Sequence, residues 1–212
     1  MQAIKSLNEK EWFHRDISIG NMGFSLRPEC GGAVIKLHDF DLSKSHTSNS
    51  GTSHWAGTVP FMPIELLEKR NVPHMIGFEV EALTWTLFWI VRVYTNGEDL
   101  NPVKDHPLED WYGNGNNLEQ IARTKYRYLA NVDGFTNEFY GDLGDEFRQL
   151  ARLWYNMRLI QEDERFEKRD GKLLLESVYG MTGFNTIETW MEKKGWNNPR
   201  NPCTCKKHCL QE

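Results

Sequence analysis

His14-Arg15-Asp16-Ile17-Ser18-Ile19-Gly20-Asn21, followed by His38-Asp39-Phe40-Asp41-Leu42-Ser43-Lys44, is the stretch that decides how this chain folds. Asp16 and Asn21 stand five apart, so one tight loop can aim a carboxylate at a hydroxyl and an amide at a metal ion. Asp39 closes the apolar run Val34-Ile35-Lys36-Leu37-His38, which reads as a short strand delivering a second metal-binding carboxylate. A third group, Gly57-Thr58-x-x-Phe61-Met62-x-x-Glu65, follows downstream. The order and spacing suit phosphoryl transfer from a nucleotide. A transferring phosphoryl group spreads its charge over several oxygens, so such a site works by positioning and Mg²⁺ neutralisation. Mg²⁺ takes hard oxygen donors in an octahedral array, and a carboxylate with an amide carbonyl leaves positions open for phosphate and water. The combination carries the reading, since each group alone is common.

Outward from that stretch, Ile4, Leu7 and Trp12 fit a helix over residues 2–12 that delivers the loop. Met22–Leu26 and Ala33–His38 read as two strands around a Pro28/Gly31/Gly32 turn. Residues 43–57 are rich in Ser, Thr and Gly and predict an exposed loop. Prolines at 60 and 63 open a short helix over Ile64, Leu66 and Leu67. Val80–Tyr94 is apolar on nearly every side, the mark of a helix buried all round. Residues 95–117 read as a polar loop. Leu118–Leu129 and Glu146–Ile160 are amphipathic helices, and Leu173–Tyr179 and Ile187–Lys194 add two more. The expected fold is mainly α with a small β-hairpin. It occupies residues 1–195, and 196–212 form a flexible Cys/Lys-rich tail.

At 212 residues, 39% hydrophobic with eight Trp, the chain has core material for one domain. A net charge of -5 argues against a nucleic-acid surface. The longest apolar stretch, Ala82 to Val91, is far short of the ~20 residues of a membrane span, and no leader peptide opens the chain. Cytoplasm or nucleus is the expected compartment. Cys203, Cys205, His208 and Cys209 crowd the tail, but Cys-x-Cys-x-x-x-Cys is not a usual zinc spacing. A thiol-bearing basic tail is the preferred reading there, and Cys30 reads as a structural or exposed thiol.

The wording His-Arg-Asp-Ile-Ser-Ile-Gly-Asn with His-Asp-Phe-Asp-Leu-Ser-Lys resembles the C-terminal lobe of eukaryotic protein kinases, and most closely the fungal-type protein kinase domain family. The resemblance spans roughly residues 1–165 and is most specific over 14–91. It implies an α+β kinase-like lobe, a helical bundle around a buried central helix with the hairpin carrying the catalytic loop. ATP and Mg²⁺ are the implied cofactors and protein hydroxyls the implied phosphate acceptors. By the same resemblance Asp16 is the catalytic base, while Asn21 and Asp39 are catalytic and metal- and nucleotide-binding residues. Arg15, Thr58 and Glu65 belong to the activation segment and substrate-docking ledge. Thr58 hydrogen-bonds near Asp16 and favours serine or threonine acceptors. Arg15 is either a solvated charge or the cation for a phosphorylated segment bearing Thr47, Ser48, Ser50, Thr52 and Ser53. His14 packs on Phe40. Glu65 looks for a late arginine, with Arg165 as a candidate. Glu79 stands where an aspartate usually accepts hydrogen bonds from the catalytic-loop backbone.

Two departures bear on activity. Ser18 replaces the lysine usual in serine/threonine kinases, removing a cation from the transferred phosphate. Asp41 replaces the glycine of Asp-Phe-Gly, which trades conformational freedom for stiffness. Thirteen residues precede His14, too few for a glycine-rich flap and a strand lysine, so the lobe alone is expected to be inactive or weak. Alternative readings are a non-catalytic, pseudokinase-like interaction module and a small-molecule phosphotransferase. A protein substrate or partner is expected for the kinase lobe and for the interaction module. The sequence leaves the oligomeric state open.

Overall fold

The first helix, α1 (Gln2–Glu9), buries Ile4 and leaves its polar face to solvent. The computed structural model describes residues 2–27, 32–46, 56–68, 72–95, 98–99, 108–112, 117–131, 144–166, 185 and 187–189. The expected single helix over 2–12 ends early. Glu11 takes a φ of 59°, which turns the chain into the two-residue strand β1 (Trp12–Phe13) leading to His14.

After the His14–Asn21 loop come β2 (Met22–Arg27) and β3 (Gly32–Leu37), an antiparallel hairpin with Met22 opposite Leu37 and Phe24 opposite Ile35. Met22 and Leu37 pack on the core, while Phe24 and Ile35 are exposed farther out. The register places Asn21 beside His38, whose amide donates to the Asn21 carbonyl at 3.0 Å. β4 (Lys44–Ser45) then pairs antiparallel with β1, Phe13 opposite Lys44. Part of the expected loop is therefore strand, and it returns the Asp39 segment alongside the approach to His14. The remainder, 47–55 with its candidate acceptors, lies outside the described residues.

A 3-10 turn over Val59–Phe61 precedes α2 (Ile64–Glu68), whose first residues are buried. α3 (Ile76–Val93) is buried along nearly its whole length. It starts earlier than its apolar pattern predicts: Gly77 and Glu79 in its first turn are buried, and Glu79 is bonded to the His14 and Arg15 amides. Its buried threonines are satisfied within the helix, Thr84 Oγ1 donating to the Val80 carbonyl and Thr86 Oγ1 to that of Ala82, each at 2.9 Å.

The expected polar loop at 95–117 carries a small hairpin, β5 (Tyr94–Thr95) with β6 (Glu98–Asp99), and a 3-10 turn at Glu109–Trp111. Leu108 and Trp111 drop from this turn into the core. α4 (Leu118–Ala130), capped by Asn117 accepting from the Gln120 amide, packs on α2 and on α5 (Gly144–Phe166). Ile187 is also buried, whereas 173–179 and the cysteine-bearing tail fall outside the described residues, as does Cys30. The architecture is mainly helical with short two-stranded sheets, as the sequence leads one to expect. Among the described residues no helix is long and apolar enough to cross a membrane.

Candidate functional site

Asp16 sits at the centre of a hydrogen-bonded knot. Its Oδ2 accepts from Asn21 Nδ2 at 2.8 Å, and its main-chain carbonyl accepts from the same nitrogen at 2.9 Å. Both Asn21 amide protons are thus turned toward Asp16, which leaves the Asn21 carbonyl oxygen facing the other way. Asp16 Oδ1 accepts from the Thr58 amide and the Thr58 hydroxyl, each at 2.7 Å. The Asp16 side chain is therefore fixed from within its own loop by Asn21 and from a segment 42 residues away by Thr58.

His14 holds this loop to the hairpin end. It is fully buried; its Nδ1 accepts from the Asp16 amide at 3.3 Å and its Nε2 lies 3.1 Å from the His38 carbonyl. Those partners require the neutral tautomer with the proton on Nε2. The ring meets Phe40 edge-on at 4.8 Å, the contact expected from sequence. His38 in turn precedes Asp39. One imidazole thus connects the Asp16 loop to the backbone just ahead of Asp39.

Glu79 of α3 anchors the loop from below. Its Oε2 accepts from the His14 amide at 3.0 Å, and its Oε1 accepts from the Arg15 amide at 2.9 Å and from His74 Nε2 at 2.6 Å. The longer glutamate reaches the backbone directly. Burial alone raises its pKa, but the His74 bond and charge together with the two backbone donors outweigh that and hold it below the ordinary carboxylate value. The anchoring lets Arg15 adopt a φ of 72°, a left-handed conformation that a non-glycine residue keeps only when its surroundings fix it. The Arg15 guanidinium donates to the Leu42 carbonyl at 3.4 Å. Desolvation lowers its pKa, and the Glu79 charge partly offsets this.

Asp39 has a φ of 64° and an exposed carboxylate, whose Oδ1 accepts a long 3.4 Å bond from the Asp41 amide. The strained position is Asp39, and Asp41 has an ordinary negative φ. The aspartate standing in place of glycine consequently carries no backbone penalty. Ser18 is buried at 2% exposure and precedes the 3-10 turn at Ile19–Asn21; its main-chain carbonyl, not its hydroxyl, accepts the Asn21 amide at 3.1 Å. Its role is in shaping the loop.

Gly57 takes a φ of 128°, and a Cβ there would lie 3.1 Å from the Arg15 carbonyl and 3.9 Å from Asp16 Oδ1. Only glycine lets the ledge approach this closely. Beneath the contact, Arg15, Asp16, Gly57, Thr58, His74 and Glu79 line a small cavity. Glu65 is buried at the start of α2. The α5 arginine seen to reach α2 is Arg158, which is buried and donates to Glu68; the side chain of Arg165 lies outside the described residues.

Residues 1–91 match the fungal protein kinase family model. The fungal protein kinase match takes in the His14–Asn21 loop, the hairpin, the Gly57–Glu65 segment and all but the last residues of α3; α4 and α5 lie beyond it. No curated protein matches the chain. A kinase-like region over 1–91 agrees with the geometry around Asp16. Sequence reading missed His74, Glu81 and Lys125. Only His74 left a signal, an imidazole just before the start of the helix that carries Glu79.

Proposed function

We propose that residues 1–195 are the C-terminal lobe of a serine/threonine protein kinase. They supply the acceptor-side and metal-binding groups for transfer of the terminal phosphoryl group of ATP to a protein hydroxyl, with little or no transfer by the lobe alone. One observation carries the reading: Thr58 of the ledge and Asn21 of the loop converge on the two carboxylate oxygens of Asp16. Asp16 is then placed to accept the proton of an incoming hydroxyl, with Thr58 marking where a small side chain approaches. A bulky phenol would crowd this contact.

The donor chemistry fits a hard divalent cation. The Asn21 carbonyl oxygen and the Asp39 carboxylate extend from neighbouring ends of the hairpin, and both are oxygen ligands of the kind Mg²⁺ takes. Among the described residues no cluster of three or more His, Cys, Asp or Glu side chains suits a metal, so Asn21 and Asp39 would share the ion with phosphate and water. Bound there, Mg²⁺ would neutralise charge on the transferring phosphate. Glu79 and His14 hold the backbone leading into Asp16, and His14 ties it to the His38 carbonyl just before Asp39.

Thermal unfolding with ATP and Mg²⁺ together and separately tests this reading. Stabilisation should require both, and Asp39→Asn or Asn21→Ala should remove it. MnATP should broaden NMR signals of residues 16–23 and 37–41 first. Equal melting temperatures with and without metal–nucleotide, and no selective broadening, would leave a non-catalytic interaction module as the better account.

A further inference from the structure

Pro63 interrupts the ledge, and the peptide groups on both of its sides are held by fully buried ionisable side chains. Lys125 of α4 donates from Nζ to the Met62 carbonyl at 2.6 Å. Glu81 of α3 accepts the Ile64 amide on Oε1 at 2.9 Å, and the same oxygen accepts from Trp85 Nε1 at 3.1 Å. The Lys125 ammonium also lies over two indoles, 4.9 Å from the Trp85 centroid and 5.2 Å from that of Trp111.

Charge at such depth is costly. Burial pushes the Glu81 carboxyl up and the Lys125 ammonium well down, and each is drawn partly back by the other's charge. A pair of apolar side chains would fill the space at lower cost. What they would not supply is directional attachment. Ile64 opens α2, so its N–H has no intrahelical acceptor, and Pro63 has no N–H to give. Glu81 and Lys125 supply the missing acceptor on one side and a donor on the other.

The attachment matters because of where it lies. α3 carries Glu79, which holds the His14 and Arg15 amides, and two residues later Glu81, which holds the Ile64 amide. The 3-10 turn, with Phe61 N–H donating to the Thr58 carbonyl at 2.9 Å and Met62 N–H to that of Val59 at 3.2 Å, links the held segment to Thr58. Thr58 and Asp16 then meet across the gap between two segments tied to one helix.

We propose that Glu81 and Lys125 are positioning residues for the phosphate acceptor, clamping both sides of Pro63 so that the Thr58–Glu65 ledge keeps a fixed distance from Asp16. This rests on the reading of Asp16 as the base. The clamp itself can be tested without catalysis.

Amide hydrogen exchange on the full chain is the experiment, with the wild type, Lys125→Met, Glu81→Met and Glu81→Gln. In the wild type the Ile64 amide should exchange as slowly as those of His14 and Arg15. Each methionine variant should speed Ile64 by about tenfold or more while His14 and Arg15 stay protected. Glu81→Gln keeps an acceptor and should return Ile64 to near the wild-type rate. A rapidly exchanging Ile64 in the wild type, or uniform acceleration at all three amides, would overturn the clamp. If a methionine variant does not fold, the wild-type and Glu81→Gln rates still decide.

Binding of a degenerate peptide pool with a fixed central serine, in the presence of MgATP, separates the two claims. Lys125→Met should weaken peptide binding about tenfold and leave the MgATP-induced stabilisation unchanged. Unchanged peptide affinity with a loosened Ile64 removes the positioning role. Loss of any MgATP effect in the wild type removes the kinase reading and leaves the exchange result standing.

Discussion

The Asp16 carboxylate and Thr58 are joined twice, through the threonine amide and its hydroxyl, each at 2.7 Å from the same Oδ1. The residues are 42 apart in sequence, so the bond reports the packing of the ledge on the loop. It also fixes the rotamer of the side chain on which the proposed chemistry turns.

Thr58→Val keeps the backbone bond and deletes the hydroxyl one. Stability should fall by about 0.5–1.5 kcal/mol, as for a typical hydrogen bond, with the urea midpoint lowered and the slope unchanged. Thr58→Ser should hold its midpoint close to the wild type. If valine and serine behave alike, the hydroxyl bond contributes nothing measurable.

His14 should show its tautomer directly. Its partners, the Asp16 amide and the His38 carbonyl, require Nδ1 unprotonated and Nε2 protonated. Imidazole nitrogen shifts from NMR at neutral pH should report that form. His14→Phe keeps an aromatic ring for the edge-on contact with Phe40 but leaves both partners unsatisfied, a loss of about 1–3 kcal/mol. A protonated Nδ1 would mean the loop is differently connected.

Glu79 should govern acid stability. Its folded pKa lies below the unfolded value of about 4.3, so its contribution is complete above that pH. The contribution is lost as pH falls from there through the folded value. Glu79→Gln should flatten this part of the stability–pH curve. It should also cost about 2–4 kcal/mol at neutral pH, because a glutamine NH₂ faces backbone N–H donors. An unaltered acid limb in chemical denaturation would show that Glu79 is not the titrating anchor.

Two glycines of the site should respond oppositely to alanine. At Gly57, with φ 128° and the Arg15 carbonyl 3.1 Å from the new Cβ, alanine should cost about 1–3 kcal/mol. At Gly20 the nearest atom is Ser18 Oγ at 3.8 Å, and alanine should be neutral or stabilising by up to about 1 kcal/mol. Melting temperatures of the two variants give the comparison. A tolerated Gly57→Ala would mean that the ledge does not need this close approach.

Much of the site is legible in the sequence. Asp16 and Asn21 interact within one loop, and local spacing shows such a pair. The hairpin was readable from period-two strands around a turn, and α3 from its unbroken apolar run. Trp111 was not, because a lone tryptophan in a polar, glycine-rich segment has no periodicity that announces burial. Lys125 falls within the amphipathic helix Leu118–Leu129, where a lysine ordinarily belongs to the solvated face. It is buried because α4 packs on α2 just where the Met62 carbonyl needs a donor.

The sequence by itself determined the chemistry-bearing groups, the hairpin and the central helix, because each depends on neighbours a few residues away. Only the tertiary structure decided which buried groups hold which backbone: Glu79 on His14 and Arg15, Glu81 on Ile64, Lys125 on Met62. These bonds join segments tens of residues apart. Whether an ionisable side chain faces water or an orphaned peptide group depends on how helices pack, and no local pattern encodes that.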